Sequence, residues 1–156
     1  MKIRCLYCYK IIDETERKTP TGRLDYHPKC SRKFFGTLEL PLLDLTDDKI
    51  KEFAEQIIKT QRSVTGVQPK LSLEISLDEN NSRRFTIVGF LGDYILKPQT
   101  KQFSNLPENE DLTMNLAEIS KIRTVEHSLI RLKSGQLAYI TKRVDSNKKE
   151  KLHMED

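Results

Sequence analysis

The sequence predicts an α+β protein: a five-stranded antiparallel sheet with one main helix inserted after the third strand, preceded by a small metal-binding knuckle and a further helix. Three observations predict it. Cysteine and histidine recur in two short pairs near the start. An apolar period of three to four residues then runs over about residues 47–60. From residue 63 the period changes to two, interrupted once by a proline-led helical stretch.

The knuckle comes first. Cys5 and Cys8 form a Cys-x2-Cys pair, and His27 and Cys30 form a His-x2-Cys pair further on. Two intervening residues let a tight turn aim both side chains at one ion, and two such turns complete the tetrahedron of soft and borderline donors that zinc prefers. The pattern consumes all 3 cysteines of the chain. Four protein ligands leave no open position, so the expected role is structural, supplying folding energy that so short a segment cannot draw from its own core. The alternative is three reduced cysteines and an unrelated histidine. Thr21-Gly22 reads as the turn between the two halves, with Tyr7, Tyr9 and Tyr26 packed around the metal.

Leu38, Leu40, Leu42 and Leu43, broken by Pro41, read as a connector, and Asp44 or Thr46 can cap the next helix. Its apolar face is Ile50, Phe53, Ala54, Ile57 and Ile58. Leu71, Leu73 and Ile75 alternate with Ser72, Glu74 and Ser76 in a first strand; Asp78 to Asn81 make a polar turn. Residues 84–89 and 93–97 read as second and third strands, with Gly89 and Gly92 at the bend. Pro107 opens a helix over about residues 108–121, with Leu112, Leu116 and Ile119 expected inward. Residues 124–132 and 136–144 read as two more strands, joined through Lys133-Ser134-Gly135. Five antiparallel strands with a helix after the third is the build of a protein-kinase small lobe. The resulting division is a knuckle over 1–36, a connector and helix over 37–62, a sheet domain over 63–145 and an exit segment over 146–156.

Composition bounds the function. With 156 residues, 37% hydrophobic and 32% charged, the chain suits one domain with a small appendage and excludes a disordered or fibrous protein. No apolar run approaches the roughly 20 residues of a bilayer span, and the first residues do not form a signal region. A cytoplasmic protein without membrane contact is expected. The net charge of +4 is mild, but residues 1–36 hold nine of the 27 basic side chains and only four of the 23 acidic ones. Any direct contact with nucleic acid belongs at that end.

Two segments carry chemistry. Ser63-Val64-Thr65-Gly66-Val67-Gln68-Pro69-Lys70, small residues around one glycine, opens onto a strand and can offer successive N–H groups to phosphate. An ordinary loop is the alternative. Lys97 ends a strand and is followed by Pro98; in kinases such a lysine holds the α- and β-phosphates of ATP and pairs with an acid of the next helix. Glu108 and Glu110 are available, and Glu110, deeper in the helix, is favoured. A merely solvated lysine is the alternative.

These segments occur in order with Tyr94-Ile95-Leu96-Lys97-Pro98, Leu106 to Met114, Thr141-Lys142-Arg143-Val144-Asp145 and Leu152-His153-Met154-Glu155-Asp156. Together they resemble the HipA-like serine/threonine kinases of bacterial type II toxin–antitoxin systems, over about residues 61–156. The resemblance implies that Ser63 and Thr65 are autophosphorylation positions in the phosphate-covering loop, and that Val64, Gly66, Val67 and Gln68 belong to its ATP-binding part. It implies that Lys97 anchors ATP, and that Lys142, Arg143 and Val144 match the interlobe hinge that meets adenine. It further implies Mg²⁺ as cofactor, a host protein (an aminoacyl-tRNA synthetase) as substrate, growth arrest as outcome and a HipB-like helix-turn-helix antitoxin as partner, with DNA touched only indirectly. The family's catalytic Asp, its Asn partner and its metal-binding Asp fall in a large lobe that would follow Asp156. No catalytic residue is therefore expected in this chain, and alone it should be inactive. The β-domain that opens larger members is replaced by the knuckle, as in systems where that domain is a separate small protein. Two other readings stay open: a non-enzymatic zinc-knuckle module binding nucleic acid or protein, and a small protein that modulates a separate kinase.

Overall fold

A computed structural model describes residues 3–13, 25–43, 45–46, 48–50, 52–53, 69–89 and 92–144. The alternating segments become β1 (Leu71–Leu77), β2 (Arg83–Val88), β3 (Tyr94–Pro98), β4 (His127–Arg131) and β5 (Leu137–Lys142). They form one sheet in the order β2-β1-β3-β5-β4, every neighbouring pair antiparallel. The α+β class, the five antiparallel strands and the helix after the third strand are as expected. Asp78 makes the polar turn between β1 and β2, its Oδ1 accepting from the N–H of Asn80 at 2.9 Å and of Ser82 at 2.8 Å. Asn81 there takes the left-handed conformation at φ 59°. Gly135, at φ 91°, closes the β4–β5 hairpin, where an L side chain would be strained.

The cross-strand register sorts the two faces. Leu96 sits beside Leu71 and Ile140, and Tyr94 beside Leu73 and Lys142. This is the face on which a short helix, α1 (Pro28–Phe35), packs. Phe34 and Phe35 of α1 meet Tyr94 at ring-centroid distances of 5.9 Å each, and Phe35 meets Phe85 at 5.6 Å. The Tyr94 hydroxyl donates to the Phe34 carbonyl at 3.1 Å. Burying these rings contributes on the order of 2 kcal/mol apiece, and they join the N-terminal module to the sheet in a single core. The sequence reading placed residues 1–36 in the knuckle and assigned no helix there. The helix was marked by Pro28 at its first position and Gly36 in the left-handed conformation (φ 74°) after its last, its N–H donating to the Arg32 carbonyl at 2.9 Å.

The N-terminal module also covers β4, the edge strand. Ser128 Oγ donates to the Leu6 carbonyl at 3.1 Å, Tyr26 Oη is 2.9 Å from Ser128 Oγ, and the Tyr26 hydroxyl donates to the Leu129 carbonyl. Arg131 Nε reaches Asp25 Oδ1 at 3.1 Å. The Leu129 carbonyl on this edge strand is thereby given a partner. At the other edge Leu42 bridges to Arg84, its N–H donating to the Arg83 carbonyl and its own carbonyl accepting from Phe85, both at 2.9 Å.

Residues 48–50 and 52–53 are helical, and Thr46 caps them, Oγ1 accepting from the Lys49 N–H at 3.4 Å. Ile50 is buried and Phe53 half-buried as expected, whereas Ala54, Ile57 and Ile58, like Asp44 and the Thr21-Gly22 turn, lie outside the described residues. The inserted helix, α2 (Leu106–Ile119), carries a correction. Leu112, Leu116 and Ile119, expected inward, are 57%, 54% and 78% exposed. The inward face is instead Pro107, Glu110, Asp111, Met114 and Asn115, because Glu110 and Asp111 find charged or polar partners on the sheet, in Lys97 of β3 and His127 of β4. Among the described residues no helix is long and apolar enough to cross a membrane.

Candidate functional site

The N-terminal module places four donors together. The chain from Ile3 to Ile12 doubles back, the Ile12 N–H donating to the Ile3 carbonyl and the Cys5 N–H to the Lys10 carbonyl, each at 2.9 Å. Between them the Tyr9 N–H donates to the Cys5 carbonyl at 2.9 Å, with Tyr9 in the left-handed region at φ 60°. His27 is the N-cap of α1 and Cys30 stands in its first turn, so a helix start rather than a free turn sets the second pair. The ligand atoms of Cys5, Cys8, His27 and Cys30 all lie within 4.8 Å of one another.

The geometry fits a tetrahedral cation. His27 Nδ1 faces the thiols, 3.4 Å from Cys8 Sγ and 3.8 Å from Cys30 Sγ, while its Nε2 lies 3.2 Å from the Ile11 carbonyl. A proton on Nε2 held by that carbonyl leaves the Nδ1 lone pair for a metal, the orienting contact that ligating histidines usually have. Burial, then the hydrogen bond with Cys8 and the other neighbouring thiol groups, pushes the Cys30 thiol up to about 12 in the metal-free chain. A divalent cation reverses that preference by supplying positive charge to thiolates. This Cys3His set can hold a metal such as zinc.

The second constellation lies on the sheet face opposite α1. Lys97 stands beside Tyr139 in the β3–β5 register, its Nζ 5.4 Å from the Tyr139 ring centroid. Across from it Glu110 of α2 accepts an ion-paired hydrogen bond from Lys97 Nζ, both side chains about one-quarter exposed (21% and 26%). Strand and helix thus bring together the two residues that the sequence singled out. Ser63, Val64, Thr65, Gly66, Val67 and Gln68 lie outside the described residues. Leu71, the first residue of β1, pairs with Leu96, so β1 begins beside the Lys97 end of β3.

Lys142, Arg143 and Val144 lie at the other end of that strand. Lys142 is opposite Tyr94, and its Nζ turns to the α1 face, pairing with Glu126 and standing 5.7 Å from the Phe34 ring centroid. Its backbone N–H donates to the Glu126 carbonyl at 2.9 Å, and that of Arg143 to the Asp93 carbonyl at 2.8 Å. The Arg143 guanidinium donates to the Gly92 carbonyl at 3.0 Å and to Ser72 Oγ. From Tyr139, opposite Lys97, to Arg143 the chain advances about 13 Å at strand rise.

Sequence reasoning missed a third group that joins the other two. Asp111, next to Glu110, is 3% exposed. Its carboxylate accepts from the Tyr9 hydroxyl and from Asn115 Nδ2 (3.0 Å), and its Oδ1 lies 3.9 Å from His127 Nε2. His127 stacks on Tyr139 at 6.0 Å. The available signal was a carboxylate at a helix position in phase with Pro107, but its partners are remote in sequence. Burial, the largest influence, raises the Asp111 carboxyl above the ordinary 3.8, against the lowering effects of Tyr9 and His127. A carboxyl raised in the folded state binds more protons folded than unfolded as pH climbs out of the acid range, so it withdraws stability over that window. Asp111→Asn removes this effect. Its melting temperature relative to the wild type should rise as pH goes from the acid side to neutrality, and parallel melting curves across that range would refute the assignment.

Residues 62–156 match the HipA-like C-terminal domain, and the chain belongs to that family. Over 98 residues it is 35% identical to a Haemophilus influenzae protein named "Putative kinase", an alignment covering 60% of this chain and 27% of that relative. The chain thus spans about a quarter of that protein's length.

Proposed function

We propose that this chain is the ATP-binding small lobe of a HipA-like serine/threonine protein kinase, carrying a structural zinc knuckle at its front. The observation that carries the proposal is the Lys97–Glu110 ion pair, which joins the third strand to the inserted helix. Kinases use such a pair to fix an ammonium group against the α- and β-phosphates of ATP. The strand order and the position of the helix support a kinase-like small lobe. In this reading residues 63–68 cover the phosphates, with Ser63 and Thr65 open to autophosphorylation. The N–H groups of Lys142 and Arg143 are engaged within the protein, and in this reading Val144 meets the base.

The remaining parts are proposed from the family. A large lobe supplies the Asp that orients the nucleophile and the ligands for Mg²⁺, and the γ-phosphoryl group passes from ATP to a Ser or Thr hydroxyl of a host protein, an aminoacyl-tRNA synthetase by resemblance. A HipB-like helix-turn-helix antitoxin and a separate small protein would be partners in the cytoplasm, with DNA reached through the antitoxin. The reading of the knuckle as a free-standing nucleic-acid module has less support, since Leu6, Asp25 and Tyr26 are engaged by β4.

Titration of the chain with ATP and Mg²⁺, followed by calorimetry, tests the proposal. Saturable binding is expected, weakened at least about tenfold by Lys97→Met, the loss of one charge-assisted contact. A wild-type chain that binds no nucleotide, or a variant that binds as well, defeats it.

A further inference from the structure

The metal-binding turn and the Lys97–Glu110 pair are joined through two side chains. Tyr9 immediately follows Cys8, and its backbone is fixed by its φ of 60°, by its N–H bond to Cys5 and by Arg4 Nη1, which donates to the Tyr9 carbonyl at 2.9 Å. The turn that aims the cysteines therefore also aims the Tyr9 ring. Its hydroxyl crosses to α2 and donates to Asp111.

What that bond controls follows from helix geometry. Consecutive residues on an α-helix are about 100° apart, so fixing the azimuth of Asp111 fixes that of Glu110. Among the described residues the other holds on α2 are few: Pro107 is buried, and Glu118 accepts from Thr124 Oγ1 at 2.8 Å and lies 3.8 Å from His127 Nδ1. Leu112, Leu116 and Ile119 are exposed and grip nothing by burial. At the N-terminus Asn105 makes no side-chain cap bond, and Gln99 Oε1 accepts from the Leu106 N–H at 3.0 Å, which anchors the helix end without setting which face turns inward. Asp111, with Asn115 and His127 around it, is the buried polar anchor of the inward face.

We propose that Tyr9 and Asp111 are positioning residues through which the metal-binding turn sets the rotation of α2 and so holds Glu110 against Lys97. The knuckle then acts as a built-in support for the nucleotide anchor as well as a folding aid. This rests on the nucleotide-binding reading of Lys97, and the experiment separates the two.

The test uses the whole chain as Tyr9→Phe, which removes one hydroxyl and keeps the ring, with Asp111→Leu and Asp111→Asn beside it. Metal content per chain is checked first and is expected to stay at the wild-type value in all three. Two readouts follow: amide hydrogen exchange of residues 106–119 without nucleotide, and affinity for ATP with Mg²⁺. In Tyr9→Phe, exchange should rise around Asp111 and affinity should fall about tenfold, the scale of losing one hydrogen bond to a charged acceptor. Asp111→Asn keeps an acceptor for the hydroxyl and should lie nearer the wild type than Asp111→Leu does. If the wild type binds nucleotide while Tyr9→Phe changes neither its affinity nor the exchange of α2, the proposal is overturned. If the wild type binds no nucleotide but exchange in α2 rises as described, the coupling stands and the ATP reading falls.

Discussion

Stripping the metal, or replacing Cys5 by Ser, is expected to unfold residues 3–13 and 25–36 together and to lower the melting temperature of the whole chain. Cys5 is fully buried and the four donors converge within 4.8 Å, so without a cation three thiols and an imidazole crowd one site with no ion to satisfy them. Structural zinc supplies about 10–16 kcal/mol of apparent free energy in small zinc-dependent modules at neutral pH. The docking of α1 on the sheet offsets part of that loss, so a loss of several kcal/mol is the expectation. Thiols must shed protons to bind, and Cys30 holds its own tightly in the metal-free chain. Metal affinity therefore rises with pH, and acidification releases the ion. Metal analysis should give about one equivalent per chain, and cobalt substitution should give the absorption of a tetrahedral thiolate site. A chain that melts identically with and without chelator would contradict the assignment.

Gly92→Ala is expected to be the most damaging single-methyl addition in the sheet. A Cβ at this position would lie 2.5 Å from the Leu73 carbonyl oxygen and 2.8 Å from both the carbonyl carbon and the nitrogen of Leu73. All three are backbone atoms of a central strand, so no side chain can swing aside. Either β1 moves from β3 or the entry to β3 is displaced, and both also shift the Gly92 carbonyl that holds Arg143. Overpacking of this kind costs about 3 kcal/mol, a fall of roughly 6–12 °C in a chain of this size. Gly89, where an added methyl meets nothing within 4 Å, is the control. Thermal melts in which the two alanine variants behave alike would show that the close approach to β1 is unimportant.

The strands were legible because alternation marks a half-buried sheet: Leu71, Leu73, Phe85 and Leu96 are buried as their period implied. The metal donors were legible because their spacing is local. Lys97 and Glu110 could be paired because the strand–helix order limits which acid can reach the lysine. What escaped depended on partners far along the chain. The inward face of α2 is polar at Glu110 and Asp111, so a search for apolar periodicity selected the wrong side. Beside its local partner Asn115, the groups that explain why a carboxylate is buried there, Tyr9 and His127, are remote in sequence. Tyr9 read as packing for the metal because nothing local tells that a left-handed backbone sends its hydroxyl to another element.

The bonds from Leu6 to Ser128 and from Tyr26 to Leu129 span more than a hundred residues. During synthesis the metal ligands emerge early, while the strand that receives them comes late. Contacts so distant in order slow folding, because loop-closure entropy is lost before they form. With zinc in the proposed site, a nascent chain would load its ion long before it has a sheet to lean on, and that ion would hold Cys5, Cys8, His27 and Cys30 together until their partner strand is made.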